Sequence, residues 1–160
     1  MITVPIFRLR AKANPLGRQV GVVYLDDARR HSMGHGVVFR VILQDSGLSE
    51  GEHGFHLHEH PDLRPTRKQG KIVVAGAAGG HFDPGGTGTH LGPYGRGHLG
   101  DLPKIYADRS GNVDDLVVAP RLRLGDCYGR ALVVHRGGDN YSDHPPNGGG
   151  EARVLGGVIP

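Results

Sequence analysis

The stretch Gly54-Phe55-His56-Leu57-His58-Glu59 places two histidines on either side of a single leucine. Side chains alternate between the two faces of a β-strand, so residues two positions apart point the same way. His56 and His58 could then bind one metal ion together. In a helix, which turns by about 100° per residue, the two rings would lie roughly 200° apart and could not share an ion. The pattern therefore predicts a strand that carries part of a metal site.

The composition of the whole chain favours the same kind of structure. Its 160 residues correspond to one domain, residues 1–160, that is large enough to bury a proper core. Only 37% of the residues are hydrophobic and none is Trp, whereas 28 are Gly, which indicates many tight turns between short strands. Helical periodicity is nowhere sustained over three turns. We therefore expect an all-β barrel or sandwich.

Alternating or apolar runs predict where the strands lie. These runs cover residues 2–11, 19–25, 36–44, 54–60, 105–106, 116–119, 131–136 and 152–159. Two long segments rich in Gly and Pro separate some of them, at residues 61–102 and 137–151. Loops of this length inside a compact domain are usually functional or disordered, and the histidines in the first one favour function.

The charge of the chain argues against several classes of partner. The formal net charge is +3, and the basic residues are scattered among acidic ones instead of forming a stripe, so we expect no nucleic-acid partner. No stretch approaches the ~20 apolar residues of a membrane span, and residues 1–10 lack the apolar core of a signal peptide. We expect no membrane partner, and a location in the cytoplasm unless the chain begins at a mature terminus.

The first long loop contains a candidate zinc site. His81 is followed by His90, His98 and Asp101, on a segment whose glycines let the backbone turn back on itself. Three imidazoles and one carboxylate suit tetrahedral zinc.

A candidate copper site is formed by His56 and His58 together with His135, which comes from a distant strand. These residues supply nitrogen only, and an imidazole site with an open side suits copper. His81 is the candidate for a fourth nitrogen, because an imidazole that loses both ring protons can bind one cation through each nitrogen. The other histidines are expected to be ordinary surface or core residues; they are His31, His35, His53, His60 and His144.

Motifs spread over nearly the whole chain resemble those of copper/zinc superoxide dismutase. They comprise residues 54–59, 79–84, 89–93, 97–103, 131–135 and 157–159. Gly138-Asp139-Asn140, Ser142-Asp143-His144-Pro145 and the Leu-Pro after Asp101 resemble the bacterial branch of the family. The resemblance implies a flattened Greek-key barrel of eight antiparallel strands, an immunoglobulin-like sandwich with two long functional loops.

The resemblance also implies a role for each candidate residue. Copper would be bound by His56, His58, His81 and His135, and zinc by His81, His90, His98 and Asp101. Asp139 matches the aspartate that links a copper ligand to a zinc ligand. Arg153 matches the arginine that receives the anionic substrate beside the copper.

The implied reaction is the dismutation of superoxide to dioxygen and hydrogen peroxide, with copper alternating between Cu(II) and Cu(I). His81 would supply one of the two protons that the second superoxide takes up. Four basic residues of the first long loop are our own candidates for attracting superoxide; they are Arg64, Arg67, Lys68 and Lys71.

One feature departs from the family. Its members usually tie the first long loop to the last strand by a disulfide, but Gly156 occupies the strand position, and Leu63 the matching loop position. The only cysteine is Cys127, which we expect to be a structural thiol. Losing such a bridge typically costs about 2–5 kcal/mol, so we expect compensation by metal binding or by apolar packing of Leu63. The missing bridge also favours a reducing compartment.

Two other functions fit parts of the pattern. A redox-silent protein that stores or delivers copper would need neither Arg153 nor a histidine shared with zinc. A zinc hydrolase would need an open position on zinc, whereas the zinc set already has four protein ligands. The sequence leaves open whether the protein is a monomer or a homodimer.

Overall fold

The computed structural model describes residues 1–160, which form β-strands connected by turns and four short 3-10 helices. The strands are β1 (Ile2–Leu9), β2 (Leu16–Asp27), β3 (Val37–Leu43), β4 (Gly51–His53), β5 (Phe55–His58), β6 (Thr66–Lys68), β7 (Lys71–Val73), β8 (Ile105–Ala107), β9 (Val113–Ala119), β10 (Arg130–His135) and β11 (Arg153–Ile159). The 3-10 helices are Ala28–His31, Gly76–Ala78, Leu124–Cys127 and Pro146–Gly149. The all-β prediction is confirmed.

Seven strands form one antiparallel sheet in the order β5-β10-β11-β1-β2-β3-β9. Strand β8 lies against β9 and pairs with β4, and only Gly54 separates β4 from β5. The sheet therefore returns on itself. If β4 and β5 are counted as two halves of one strand, eight strands form the barrel, in the non-sequential order expected of a Greek key.

The core lies inside this barrel and follows from the alternation along the strands. In β1, Ile2, Val4 and Ile6 are buried while the residues between them are exposed. Phe39 of β3 and Phe55 of β5 meet edge to face at the centre, with ring centroids 5.7 Å apart. Burial of the β5 side chains on both faces fixes the register of the strand that carries His56 and His58.

The first long loop is more ordered than the sequence indicates. It contains the hairpin of β6 and β7, which alternation did not predict because both strands are only three residues long and no residue in either is buried. The hairpin is followed within the loop by the 3-10 turn Gly76–Ala78. The predicted strand at residues 54–60 stops at His58, because the backbone N–H groups of Glu59 and His60 bond to Gly80 and Ala78 instead.

A small apolar cluster attaches this loop to the barrel. Leu63 is only 3% exposed and packs with residues of β10 and of the 3-10 turn; the cluster comprises Leu63, Ala75, Ala78, Ala131 and Val133. A Cβ placed on Gly156 would lie 3.3 Å from Leu63 Cδ2. Leu63 therefore packs directly against Gly156, the position at which the resemblance implies a strand cysteine.

Cys127 is completely buried at the end of a 3-10 helix, and its thiol is free. Burial, together with the nearby charge of Asp126, raises the pKa of this thiol to about 12. The molecule contains no helix with the length and apolar character needed to cross a bilayer.

Candidate metal centre

The three strand-borne histidines come together on one side of the barrel. Strand β5 pairs with β10, so that His56 lies opposite Val133 and His58 opposite Ala131, and His135 ends β10. The ligand atoms of these histidines and of His81 lie within 4.8 Å of one another, and all four residues are buried. The structure thus brings the predicted copper set into one compact group.

Each strand-borne ring has one nitrogen engaged and the other free. His58 donates from Nδ1 to Gly79 O at 2.9 Å, and His135 donates from Nδ1 to Glu151 O at 3.2 Å. The opposite nitrogen of each ring, Nε2, is buried without a partner in the protein, as is Nδ1 of His56. Unpartnered buried nitrogens are costly, and three that converge are the donor set of a cation. This donor set fits copper.

The loop-borne residues form a second group around Asp101, which is buried. His81 Nδ1 lies 2.8 Å from Asp101 Oδ1. His90 Nδ1 lies 2.9 Å from Asp101 Oδ2, but the two atoms are not oriented to hydrogen-bond and both lack a partner. A nitrogen and a carboxylate oxygen that face a common point in this way fit a cation such as zinc.

His98 lies at the edge of this second group. Its Nδ1 is 3.2 Å from Asp101 Oδ1, and 12% of its side chain is exposed, the most of any candidate ligand of the loop. It is not part of the compact set whose ligand atoms lie within 4.8 Å of one another, which contains His56, His81, His90 and Asp101.

His56 and His81 belong to both groups, but their rings differ. Nε2 of His56 is engaged with Asp139, so this ring keeps one nitrogen for a metal. His81 lies against Asp101 through Nδ1, which leaves its Nε2 to serve the copper set. His81 is therefore the ring suited to two ions.

Asp139 connects the two groups. His56 donates from Nε2 to Asp139 Oδ2 at 2.8 Å, and His90 donates from Nε2 to Asp139 Oδ1 at 2.7 Å. The Tyr141 backbone N–H also donates to Oδ1, at 2.9 Å. A Cβ on Gly148 would lie 2.1 Å from Asp139 Oδ1, so only glycine leaves room for the carboxylate here.

Electrostatics divide the rings into two classes. Burial, and then the neighbouring charges of His81 and His135, hold the pKa of His56 well below its usual range. Burial and the charge of His81 lower the pKa of His135 to about 3. Burial also lowers the pKa of His90, but the adjacent carboxylates of Asp101 and Asp139 outweigh this effect and raise it to about 9. The strand-borne rings are thus kept neutral, which is the protonation state that binds a metal ion.

Arg153 lies beside the copper set. It is paired with His135 across β10 and β11, and its Nη1 donates to Ala75 O at 2.9 Å. After burial and the charge of His81, the positive charge of Arg153 contributes to lowering the pKa of His58. The charge of its guanidinium is therefore close enough to act on the copper ligands, and on an anion bound beside them.

The four basic residues of the first loop are not equivalent. Arg64 pairs with Asp62, with Nε 3.0 Å from both carboxylate oxygens. Arg67, Lys68 and Lys71 are exposed on the β6–β7 hairpin and form no ion pair.

The other five histidines belong to neither ligand group. His53, although buried, is engaged by carbonyl oxygens at both nitrogens, those of His135 and Ser49. Some residues that support the site from outside were not predicted from the sequence, among them Asp143, whose Oδ2 accepts the His90 backbone N–H at 2.9 Å. Asp143 lies in the segment that resembles the bacterial branch, which was the only signal available for it.

Comparison with known proteins agrees with this geometry. Residues 20–159 match the family model for copper/zinc superoxide dismutase (SODC). The chain is 51% identical to the superoxide dismutase [Cu-Zn] of Brucella abortus over 145 residues, which cover 89% of this chain and 80% of that protein. The solved Cu/Zn superoxide dismutase structure from Brucella abortus superimposes with a TM-score of 0.90 at 48% identity, covering 99% and 98% of the two chains.

A second solved relative is the monomeric copper, zinc superoxide dismutase from Salmonella enterica. It superimposes with a TM-score of 0.81 at 42% identity, again covering 99% of this chain and 98% of the relative. These matches extend over nearly the whole barrel and both long loops. The chain belongs to the copper/zinc superoxide dismutase family.

Proposed function

We propose how this superoxide dismutase divides its reaction among its residues. Two superoxide ions and two protons become one dioxygen and one hydrogen peroxide, so the site must accept an anion twice and deliver protons once. The observation that carries the proposal is that His81 belongs to both ligand groups and, unlike His56, does not have its second nitrogen engaged by Asp139. Copper would be held by His56, His58, His81 and His135, and zinc by His81, His90, His98 and Asp101.

The metal ions supply what the side chains cannot. Bound copper provides the one-electron redox chemistry, and bound zinc provides a fixed positive charge. The chain supplies the orientation of the rings. His58 and His135 are fixed by their bonds to backbone carbonyls, and Asp139 fixes His56 and His90 together. Such outer partners set ring orientation and tautomer.

His81 is the proposed proton carrier. Its Nδ1 lies against Asp101 on the zinc side, so its Nε2 is the nitrogen that would take a proton from solvent whenever copper does not hold it. Bound copper would supply the electron to superoxide, and the resulting peroxide, a strong base, would take that proton from Nε2. The ring then returns to its starting form, and the second proton comes from water.

Arg153 is the proposed docking residue. A guanidinium makes charge-assisted hydrogen bonds to small anions, and one of its nitrogens is already fixed by Ala75 O. The same contact ties the docking residue to the first long loop. Superoxide held by Arg153 would lie next to His58 and His135, within reach of the copper set.

Pulse radiolysis of the copper- and zinc-loaded protein tests these roles. Arg153→Ala is expected to lower the second-order rate constant by roughly 10-fold or more, because the anion loses its charged contact. His81→Ala removes the ring shared by both ligand groups and is expected to lower it further. Arg109→Ala, which removes a charge of equal sign at a side chain 92% exposed, is the control. Wild-type protein that consumes superoxide no faster than free copper would favour the copper-storage function instead.

The β6–β7 hairpin is the proposed source of long-range attraction for superoxide. Since Arg64 is already neutralised by Asp62, the effect should come from Arg67, Lys68 and Lys71. Replacing these three by Gln is expected to lower the rate roughly 2- to 10-fold at low salt and to flatten its dependence on ionic strength. Arg64→Gln is the matched control and should change little. An unchanged rate and salt dependence in the triple variant would exclude the hairpin.

A further inference from the structure

Two backbone carbonyl oxygens beside His98, in the loop that carries the candidate zinc ligands, accept hydrogen bonds from a side chain that has no role in the proposed reaction. Arg121 donates from Nη2 to Gly97 O at 3.1 Å and from Nη1 to His98 O at 3.4 Å. The two carbonyls precede and follow the α-carbon of His98, so the guanidinium spans the backbone of one candidate zinc ligand. No other side chain donates to either carbonyl.

The support behind Arg121 is rigid. The turn that carries it follows β9, and its neighbour Leu122 is 2% exposed within the main core. Cys127, five residues further, is also in that core. The backbone of Arg121 therefore belongs to the barrel, whereas its guanidinium contacts the loop.

The loop needs this support at His98 more than elsewhere. His90 is fixed through Asp139 and Asp143, and Gly100 is fixed by bonds to Leu57 and Phe82. The peptide groups of His98 have two further backbone bonds, from its own N–H to Thr89 O at 2.8 Å and from the Asp101 N–H to its carbonyl at 3.4 Å. All residues of these two bonds belong to the loop, so neither bond attaches His98 to the barrel. The two loop segments approach closely here, since a Cβ on Gly97 would lie only 2.3 Å from the same Thr89 O. His98 is also the candidate ligand that lies outside the compact group.

We infer that Arg121 is a positioning residue for zinc, which sets the His98 peptide so that the imidazole can close the zinc site. The inference rests on the zinc set proposed above. An arginine suits this role because its planar fork can donate to two carbonyls at once, whereas a lysine presents a single point of donation.

Zinc binding by the full chain, measured by competition with a chromophoric chelator, tests the inference without any turnover. Arg121→Met is expected to weaken zinc binding about 10-fold, the effect typical of a lost outer partner of a metal ligand. Arg121→Lys should recover part of the loss. The control is Arg123→Met, which removes the same charge from the same turn, where the guanidinium donates no hydrogen bond to the loop.

A double-mutant cycle separates positioning from general stability. In a His98→Ala background, Arg121→Met should have no further effect on zinc affinity, because the ligand that it positions is gone. Cobalt placed in the zinc site should show an altered visible spectrum in Arg121→Met but not in Arg123→Met. An equal loss of affinity with and without His98, or equal losses in the two arginine variants, would overturn the inference. If His98→Ala alone left zinc affinity unchanged, the proposed zinc set itself would be wrong.

Discussion

The two halves of the metal centre are built in different ways. The copper half uses side chains of paired strands, where register and burial fix the rings and backbone carbonyls fix the tautomers of His58 and His135. The zinc half uses a loop without regular secondary structure, whose ligands depend on carboxylates and on one guanidinium. A strand-borne site is preorganised by the barrel, whereas a loop-borne site must be held by polar contacts from outside. The difference predicts which changes will damage each half.

The largest effect is expected at Asp139, where the two halves meet. Asp139→Asn keeps one oxygen that accepts but replaces the other with a donor, so it cannot hold both His56 and His90. We expect zinc affinity to fall about 10- to 100-fold, and copper affinity to fall less because β5 still fixes His56. Competition titrations with each metal measure both. Asp114→Asn, at a side chain 71% exposed, is the control. Equal losses for the two metals would contradict the division between the halves.

Removing zinc should separate the two regions in a second way. Residues 83–98 should exchange their amide hydrogens at least about 10-fold faster in the zinc-free protein, because their order rests on contacts around the ligands. The loop at 61–74, which apolar packing also holds at Leu63, should exchange faster by a smaller factor. The amides of β5 and β10 should keep their protection, since their bonds belong to the main sheet. Hydrogen exchange with mass spectrometry measures this contrast. Equally slow exchange in both loops with and without zinc would show that the loop contacts suffice alone.

Leu63 is expected to carry the attachment of the first long loop. Leu63→Ala would leave a cavity beside Gly156 and should lower the free energy of unfolding by about 2–4 kcal/mol. The loss should persist in the metal-free protein, because the contact is apolar and lies in the barrel wall. Denaturant titration measures it, with Leu116→Ala, at a side chain 48% exposed, as the control for a leucine outside the core. A loss no larger than that of the control would exclude Leu63 as the anchor.

The smallest effect concerns Cys127, which supports the barrel and not the metals. Burial raises the pKa of this thiol in the folded state to about 12, well above the ordinary value of 9.0 for a cysteine. The folded protein therefore holds a proton that the unfolded chain releases, so this contribution to stability is present below pH 9 and is lost as the pH rises towards 12. The free energy of unfolding should fall more steeply above pH 9 in the wild type than in Cys127→Ala, with or without metal. Parallel curves would refute the assignment.

The strand half of the site could be predicted from local sequence because its geometry is local. In a strand, the two-residue spacing of His56 and His58 places both rings on the same face, and both are buried in β5. The membership of His81 in the two ligand groups also matches the chemistry expected from its neighbours in the sequence. Alternation located the central parts of β1, β2, β3 and β10, with ends that differed by a few residues.

What could not be predicted depends on contacts between distant segments. Arg121 meets His98 across 23 residues, and Asp143 meets His90 across 53, so neither contact leaves a periodic signal. The β6–β7 hairpin was not predicted because none of its strand residues is buried, so the sequence shows no alternation of apolar and polar side chains there. The pairing of Arg64 with Asp62, two residues apart, was visible in the sequence but became meaningful only when its geometry was known.

The contact between Leu63 and Gly156 has a consequence for how the protein matures. A disulfide must be formed by an oxidant after synthesis and can be reduced again, so the loop of a disulfide-bearing enzyme exists in two covalent states. An attachment made by packing forms in the same event as the barrel and does not respond to thiol reagents. The attachment of the first long loop in this chain therefore needs no oxidation step.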